Sequence, residues 1–68
     1  MHISTKEINY LKDHLSWELL AAKKCFHHAN ELQDTNFKEV FHTAGRVHQE
    51  NYVNLLNYAN KISREVQN

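Results

Sequence analysis

The chain has 68 residues, with eight Lys and Arg, eight Asp and Glu, one cysteine and no proline. A chain of this length forms one domain at most, which we expect to cover 1–68. The balanced, scattered charge gives no basic face for nucleic acid, and no stretch is long and apolar enough for a membrane span or a signal peptide. The lone cysteine fits a reducing compartment. We therefore expect a cytoplasmic protein that binds neither nucleic acid nor membrane.

The first predicted element is a helix over about 5–32. It begins after Ser4, because Ser4 and Glu7 stand in the S-x-x-E spacing of a capping box. Mostly apolar residues then recur at steps of three and four, which is the spacing of one buried seam on a helix. This first seam consists of Ile8, Leu11, Leu15, Glu18, Ala22, Cys25, Ala29 and Leu32.

A turn over about 33–35 and a second helix over about 36–66 follow in the chain. The turn is predicted because its neighbourhood is the only interior cluster of turn and cap residues. Asp34 is the preferred N-cap of the second helix, and Asn36 with Glu39 forms the alternative capping box.

The second helix carries a seam of its own at steps of three and four. It consists of Phe41, Ala44, His48, Asn51, Leu55, Tyr58 and Ile62. His48 interrupts the second seam, just as Glu18 interrupts the first. We expect Leu15, Ala22, Leu55 and Ile62 to be nearly fully buried in the seams.

The predicted fold class is all-α, an antiparallel two-helix hairpin that dimerises into a four-helix bundle. The short connection makes the two helices antiparallel neighbours. They also carry more apolar surface than one partner helix hides, and a two-fold dimer is the commonest way to cover it. The additional apolar residues are Trp17, Leu19, Leu20, Phe26, Phe37, Val40, Val47, Tyr52 and Leu56. The predicted partner is therefore a second copy of the chain.

Gly45 is the only glycine, and it lies in the middle of the second predicted helix. A glycine there costs about 1 kcal/mol relative to alanine, so a physical reason is required. We expect a close approach of the two helices at Gly45. The alternative is space for a ligand.

Glu18 and His48 are the candidate functional pair. If the hairpin folds about Asp34, position i faces roughly position 68 minus i, and the two side chains come near one level. Burying a carboxylate or an imidazole alone is costly, so they must hydrogen-bond, pair or bind a metal. In a dimer the pair is doubled, and two carboxylates with two imidazoles would suit Zn²⁺ or iron. The alternative is a polar contact that sets the register of the dimer.

Other side chains are weaker candidate metal ligands. His14 is four residues before Glu18, and Glu50 is two residues after His48. Glu39 and His42 have the E-x-x-H spacing found in helical di-iron sites. That motif would lie near two further histidines, His27 and His28, although such residues more often belong to a solvated face.

The sequence resembles the short helical-hairpin spore-coat proteins of Firmicutes. The resemblance is carried by the runs Leu15–Ala29, Ala44–Gln49 and Leu55–Tyr58, with Asp34, Phe37 and Lys38 between them. These proteins are similar to the coat F group of the ferritin-like, rubrerythrin-like superfamily. The resemblance implies a ferritin-like half bundle in which Glu18 and His48 match two of the metal ligands. The glutamate that the superfamily has three residues before the histidine is Gly45 here, which implies a reduced or lost metal site.

Three classes of function follow from the residues and from the resemblance. The first is a non-catalytic structural or assembly protein, related to the spore coat and contacting other coat or assembly proteins. The second is a helical-bundle module that binds Zn²⁺ or iron. The third is a ferroxidase-type enzyme, which ranks last because of Gly45 and because no nucleophile and base stand in a catalytic arrangement. No cofactor is required by the first class.

Overall fold

The computed structural model describes residues 3–67, with side chains described as far as residue 64. It contains helix α1 over Thr5–Glu31 and helix α2 over Thr35–Gln67, joined by three residues and packed against each other. Residues 3–67 contain no strand. The prediction of an all-α antiparallel hairpin is confirmed, and the predicted helix bounds agree within a residue. The ends of the predicted domain, residues 1, 2 and 68, lie outside the described residues.

Helix α1 begins with the capping box that the sequence predicts. The Ser4 Oγ accepts a hydrogen bond from the backbone N–H of Glu7 at 3.1 Å. The Glu7 Oε1 in turn accepts from the backbone N–H of Ser4 at 3.2 Å. These bonds satisfy two backbone donors that have no partner within the helix, and they fix its first residue as Thr5.

Helix α2 is capped by Asp34. Its Oδ1 accepts a hydrogen bond from the backbone N–H of Phe37 at 3.0 Å, and its carbonyl accepts from the backbone N–H of Lys38 at 3.0 Å. The preferred N-cap is therefore confirmed, and α2 begins at Thr35 rather than at Asn36.

A lysine of α2 closes the turn against the end of α1. Lys38 Nζ donates a hydrogen bond to the backbone carbonyl of Ala29 at 3.1 Å. That carbonyl belongs to the last turn of α1, where carbonyls lack helical partners and a positive charge is favourable. Ala29 is fully buried beside this contact.

The side chains between the helices follow a seven-residue repeat, with alternating steps of three and four. On α1 they are Leu11, Leu15, Glu18, Ala22, Cys25 and Ala29, and on α2 they are Lys38, Phe41, Gly45, His48, Tyr52, Leu55, Ala59 and Ile62. A strict seven-residue repeat favours two helices that coil around each other with a left-handed twist. Ile8, at the open end of the seam, is 38% exposed.

Three members of the predicted second seam are wrong. Gly45 is buried in the seam, and Ala44, which the sequence predicts there, is half-buried beside it. Asn51 and Tyr58 are exposed, and their neighbours Tyr52 and Ala59 are half-buried in their place. After His48 the seam continues with a step of four rather than three. The polar amide of Asn51 thereby stays in water, and Tyr52 packs beside Ala22, where the small side chain leaves space.

Gly45 lies directly beneath the ring of Phe26. A Cβ atom added at Gly45 would lie 2.7 Å from Phe26 Cε1 and 2.9 Å from Phe26 Cζ. The expected close approach at Gly45 is found for a side chain of the opposite helix, and the alternative of free space for a ligand is not. The partner is a ring from the opposite helix, which occupies the volume that any larger residue at position 45 would need.

The hairpin has a very small core of its own. The buried apolar side chains of the described residues are Ala22, Ala29 and Ile62. The predicted burial of Ala22 and Ile62 is confirmed, whereas Leu15 and Leu55, predicted with them, are only half-buried. The radius of gyration is 15.5 Å, whereas a compact domain of this length has about 11 Å. The molecule is a rod of 51 × 17 × 11 Å rather than a globule.

Candidate functional site

Glu18 of α1 and His48 of α2 are in direct contact. His48 Nδ1 lies 2.6 Å from Glu18 Oε2. The Glu18 side chain is 21% exposed and the His48 side chain is 36% exposed. Each residue occupies a seam position, and the short turn brings the two positions to the same level. The expectation that these side chains lie on facing helices within direct reach is therefore confirmed.

The contact determines which ring nitrogen of His48 remains available for another partner. An ionised carboxylate only accepts hydrogen bonds, so the ring nitrogen Nδ1 of His48 donates to Glu18 Oε2. The bond is an ion pair as well whenever the imidazole is protonated. In a neutral ring with hydrogen on Nδ1, the second nitrogen Nε2 carries a free lone pair. A carboxylate that orients a histidine in this way is a common second partner in metal sites.

The weaker candidate ligands do not approach this pair. His14 is exposed, and its ring packs edge-on against Trp17 with centroids 5.2 Å apart. Glu50 is exposed on α2. Among the residues that the structure describes, no three His, Cys, Asp or Glu side chains gather as a metal-binding group. One hairpin therefore supplies two potential ligands, and the metal role of Glu18, His48, His14 and Glu50 stays a prediction.

The histidines near the turn pack against aromatic rings. His28 meets Phe41 edge-on with centroids 5.6 Å apart, and His42 lies against Phe26 with centroids 6.0 Å apart. These contacts lie on opposite sides of the seam, so the two imidazoles do not face a common point. The E-x-x-H spacing of Glu39 and His42 is thus no sign of a metal cluster here. Folding about Asp34 brings both ring pairs to one level, which was the signal available in the sequence.

A shallow groove of about 280 Å³ runs along one side of the seam, and we call this the groove side. Its lining is mostly apolar. It consists of Leu19, Ala22, Lys23, Phe26, Gln49, Tyr52 and Val53. Residues from both helices contribute, so the groove marks the same side of α1 and of α2. Sequence reasoning did not single it out.

The opposite side of the seam carries large exposed apolar side chains, and we call it the Trp17 face. It consists of Tyr10, Trp17, Phe37, Val40, Val47 and Tyr58. Tyr10 and Trp17 are seven residues apart on α1, as Val40 and Val47 are on α2, and this spacing keeps each pair on one side of its helix. The six side chains are between 46% and 62% exposed. Large exposed apolar side chains on one side of a molecule are typical of an interaction site.

Neither helix, as far as the structure describes it, combines the length and the apolar character needed to cross a lipid bilayer.

Comparison with known proteins finds one informative similarity. No protein-family model matches the chain, and no solved structure matches it. Over 56 residues the chain is 39% identical to YuzM of Bacillus subtilis strain 168, an uncharacterized protein. The match covers 82% of this chain and 69% of YuzM.

Proposed function

The chain belongs to the family of the Bacillus subtilis protein YuzM, and we propose that it is a non-catalytic assembly protein. Its hairpin is one half of a homodimeric four-helix bundle. The observation that carries this proposal is the surface that a single hairpin leaves uncovered.

The uncovered surface has about the size of a stable interface. The chain exposes 5472 Å², whereas a folded monomer of its mass exposes about 4,500 Å². The excess is about 1,000 Å² per chain, or about 2,000 Å² for two copies, and homodimer interfaces begin at about that size. Ordering the chain costs about 1.5 kcal/mol per residue, and the small core of one hairpin is a poor match for that cost.

Sedimentation equilibrium tests the proposed homodimer. The expected mass is twice the chain mass of 8.1 kDa at micromolar concentration. Helix content, followed by circular dichroism, should fall as the protein is diluted, because the second copy supplies most of the burial. A monomer that unfolds cooperatively and independently of its concentration would contradict the proposal.

The resemblance to coat F-like proteins supports a more specific role. We extend the proposal to a structural component of the spore coat, made in the cytoplasm and held in the coat by other coat or assembly proteins. Fractionation of sporulating cells tests this role. The protein is expected in the coat extract of purified spores, and its confinement to the soluble fraction of the mother cell would contradict it.

A metal-binding module is the second candidate, and the Glu18–His48 contact favours it. The oriented Nε2 of His48 would be the ligand, and the second copy would have to complete the set. Metal analysis of protein purified without a histidine tag tests this candidate. Added Zn²⁺ or Fe²⁺ should raise the melting temperature, because a ligand that prefers the folded state stabilises it. His48→Ala should abolish the increase and Glu18→Gln should weaken it.

The residues do not fit a full di-iron centre. The superfamily pattern needs a glutamate at position 45, and Gly45 lies beneath the Phe26 ring with no space for a carboxylate. We therefore place a ferroxidase-type activity outside the proposed function. Oxygen-dependent oxidation of Fe²⁺ by the purified protein would contradict this assignment.

A further inference from the structure

We propose that the second copy of the chain packs on the Trp17 face, leaving the groove side of each hairpin outside the interface. This inference rests on the proposed homodimer and names its surface. The occupant is a second copy, because the excess of about 1,000 Å² per chain has the size that a stable two-fold dimer needs to cover.

Exposure differs between the two sides of the seam. On the Trp17 face, Trp17 and Val40 are each 62% exposed. On the groove side, Leu19 is 38% exposed and Val53 is 46% exposed. The hairpin already covers part of the groove side with its own side chains, so the Trp17 face holds more of the uncovered apolar surface. Burial of apolar area drives association, which favours an interface there.

The Trp17 face extends along the whole hairpin. Phe37 and Val40 lie near the turn, Val47 lies midway, and Tyr10 lies near the open end. Two half-buried alanines, Ala21 and Ala44, flank the seam on this side. Small residues of this kind let the helices of a second hairpin approach closely.

Trp17 has the position and chemistry of a central anchor. It lies one residue from the midpoint of α1, and a two-fold interface uses the same patch on both copies. The two Trp17 side chains therefore lie near the centre of the interface. Tryptophan is enriched among residues that dominate binding energy. The edge-on contact with His14 already restrains its ring, which lowers the entropy lost on association.

A matched pair of valine substitutions on α2 tests the face. Val47 is 51% exposed on the Trp17 face and Val53 is 46% exposed on the groove side. Val47→Glu places an unpaired carboxylate in the proposed interface, so the dimer dissociation constant should rise at least about thirtyfold. Val53→Glu stays in water and should change it by less than about threefold. Sedimentation over a range of concentrations measures both.

Quenching of tryptophan fluorescence by iodide gives a second measurement that needs no substitution. Trp17 is the only tryptophan, so the signal reports this face alone. In the wild-type and Val53→Glu dimers it should be protected from iodide, and in Val47→Glu it should become accessible. Val47 is exposed in the single hairpin and contributes little to its packing. Any loss of helix in Val47→Glu would therefore result from dissociation of the dimer, and the increase in quenching would still report that dissociation.

The outcomes separate this inference from the proposed homodimer. A dimer broken by Val53→Glu and not by Val47→Glu would overturn the Trp17 face and keep the homodimer. A wild-type dimer in which iodide quenches Trp17 freely would do the same. A wild-type protein that is a folded monomer at every concentration would overturn both.

Discussion

The two sides of the helix seam differ in how far the hairpin covers its own apolar surface. On the groove side, Phe26 crosses the seam and lies on Gly45 of the opposite helix. On the Trp17 face, the large side chains are at least 46% exposed. Gly45 lies in the seam where the Phe26 ring folds inward, and Ala21 and Ala44 flank the seam on the side that stays open. The Phe26 ring therefore covers part of the groove side, whereas the large side chains of the Trp17 face stay exposed.

The largest predicted effect tests the packing of Phe26 on the groove side. Phe26→Ala should lower the free energy of unfolding by about 2–3 kcal/mol, because the half-buried ring covers Gly45 and contacts His42. Leu20→Ala is the control. Leu20 is 52% exposed, and its loss should stay within about 0.5 kcal/mol. Urea denaturation at one fixed protein concentration measures both free energies of unfolding. Equal losses for the two variants would show that the Phe26 ring contributes no more than an exposed leucine.

The polar pair lies in the seam between the two sides. Glu18→Ala should cost about 1–3 kcal/mol, because it leaves the half-buried imidazole of His48 without its acceptor. Replacing both residues with leucine should restore or raise stability, since apolar side chains of similar size need no partner. Glu50→Ala, on the exposed surface, is the control for the loss of a charge. A double leucine variant less stable than Glu18→Ala would show that the pair itself stabilises the fold.

The effect of Gly45→Ala on stability should reverse its sign when the Phe26 ring is removed. Gly45→Ala should cost about 1 kcal/mol in the wild-type chain, because the Phe26 ring must move to admit the Cβ. In the Phe26→Ala chain the same change should add about 1 kcal/mol of stability, since only the better helix propensity of alanine remains. The double-mutant cycle by thermal unfolding measures the difference. Equal effects in both backgrounds would mean that the ring does not determine the choice of glycine.

The smallest predicted effect lies at the turn, away from both sides. Asp34→Ala should cost about 1 kcal/mol, because it removes the acceptor of the Phe37 backbone N–H. Asn36→Ala is the matched control and should cost a few tenths of that value, since Asn36 is not the N-cap. Chemical denaturation compares the two variants. If Asn36→Ala is less stable than Asp34→Ala, the assignment of Asp34 as the N-cap is wrong.

Much of the fold could be predicted from local signals. The capping box at Ser4, the cap at Asp34 and the two periodic runs gave the helix bounds within a residue. The short turn then fixed the level of every facing pair. The contact between Glu18 and His48 followed from position alone, because each residue takes a seam step and the fold about Asp34 aligns them.

The packing of several other side chains could not be predicted, because the spacing allows more than one inward-facing residue at several positions. The runs through Asn51 and through Tyr52 both obey steps of three and four, so the period alone does not say which residue turns inward. The groove and the contacts of His28 and His42 depend on the directions of large rings. Whether a metal binds would depend on ligands that a second copy supplies in the proposed dimer, and one chain's sequence places those ligands only by inference.

The capped turn also has a consequence for the order in which the chain folds. The hydrogen bond from Lys38 to Ala29 closes a loop of nine residues, whereas the contact between Glu18 and His48 spans thirty. Closing the shorter loop loses less chain entropy, so the transition state of folding should already contain the turn. Asp34→Ala should then mainly slow folding, while substitutions at Leu55, far from the turn, should mainly speed unfolding. The two helices should therefore pair first near the turn and last at the open end. The Trp17 face should form only after the middle of the two helices has paired.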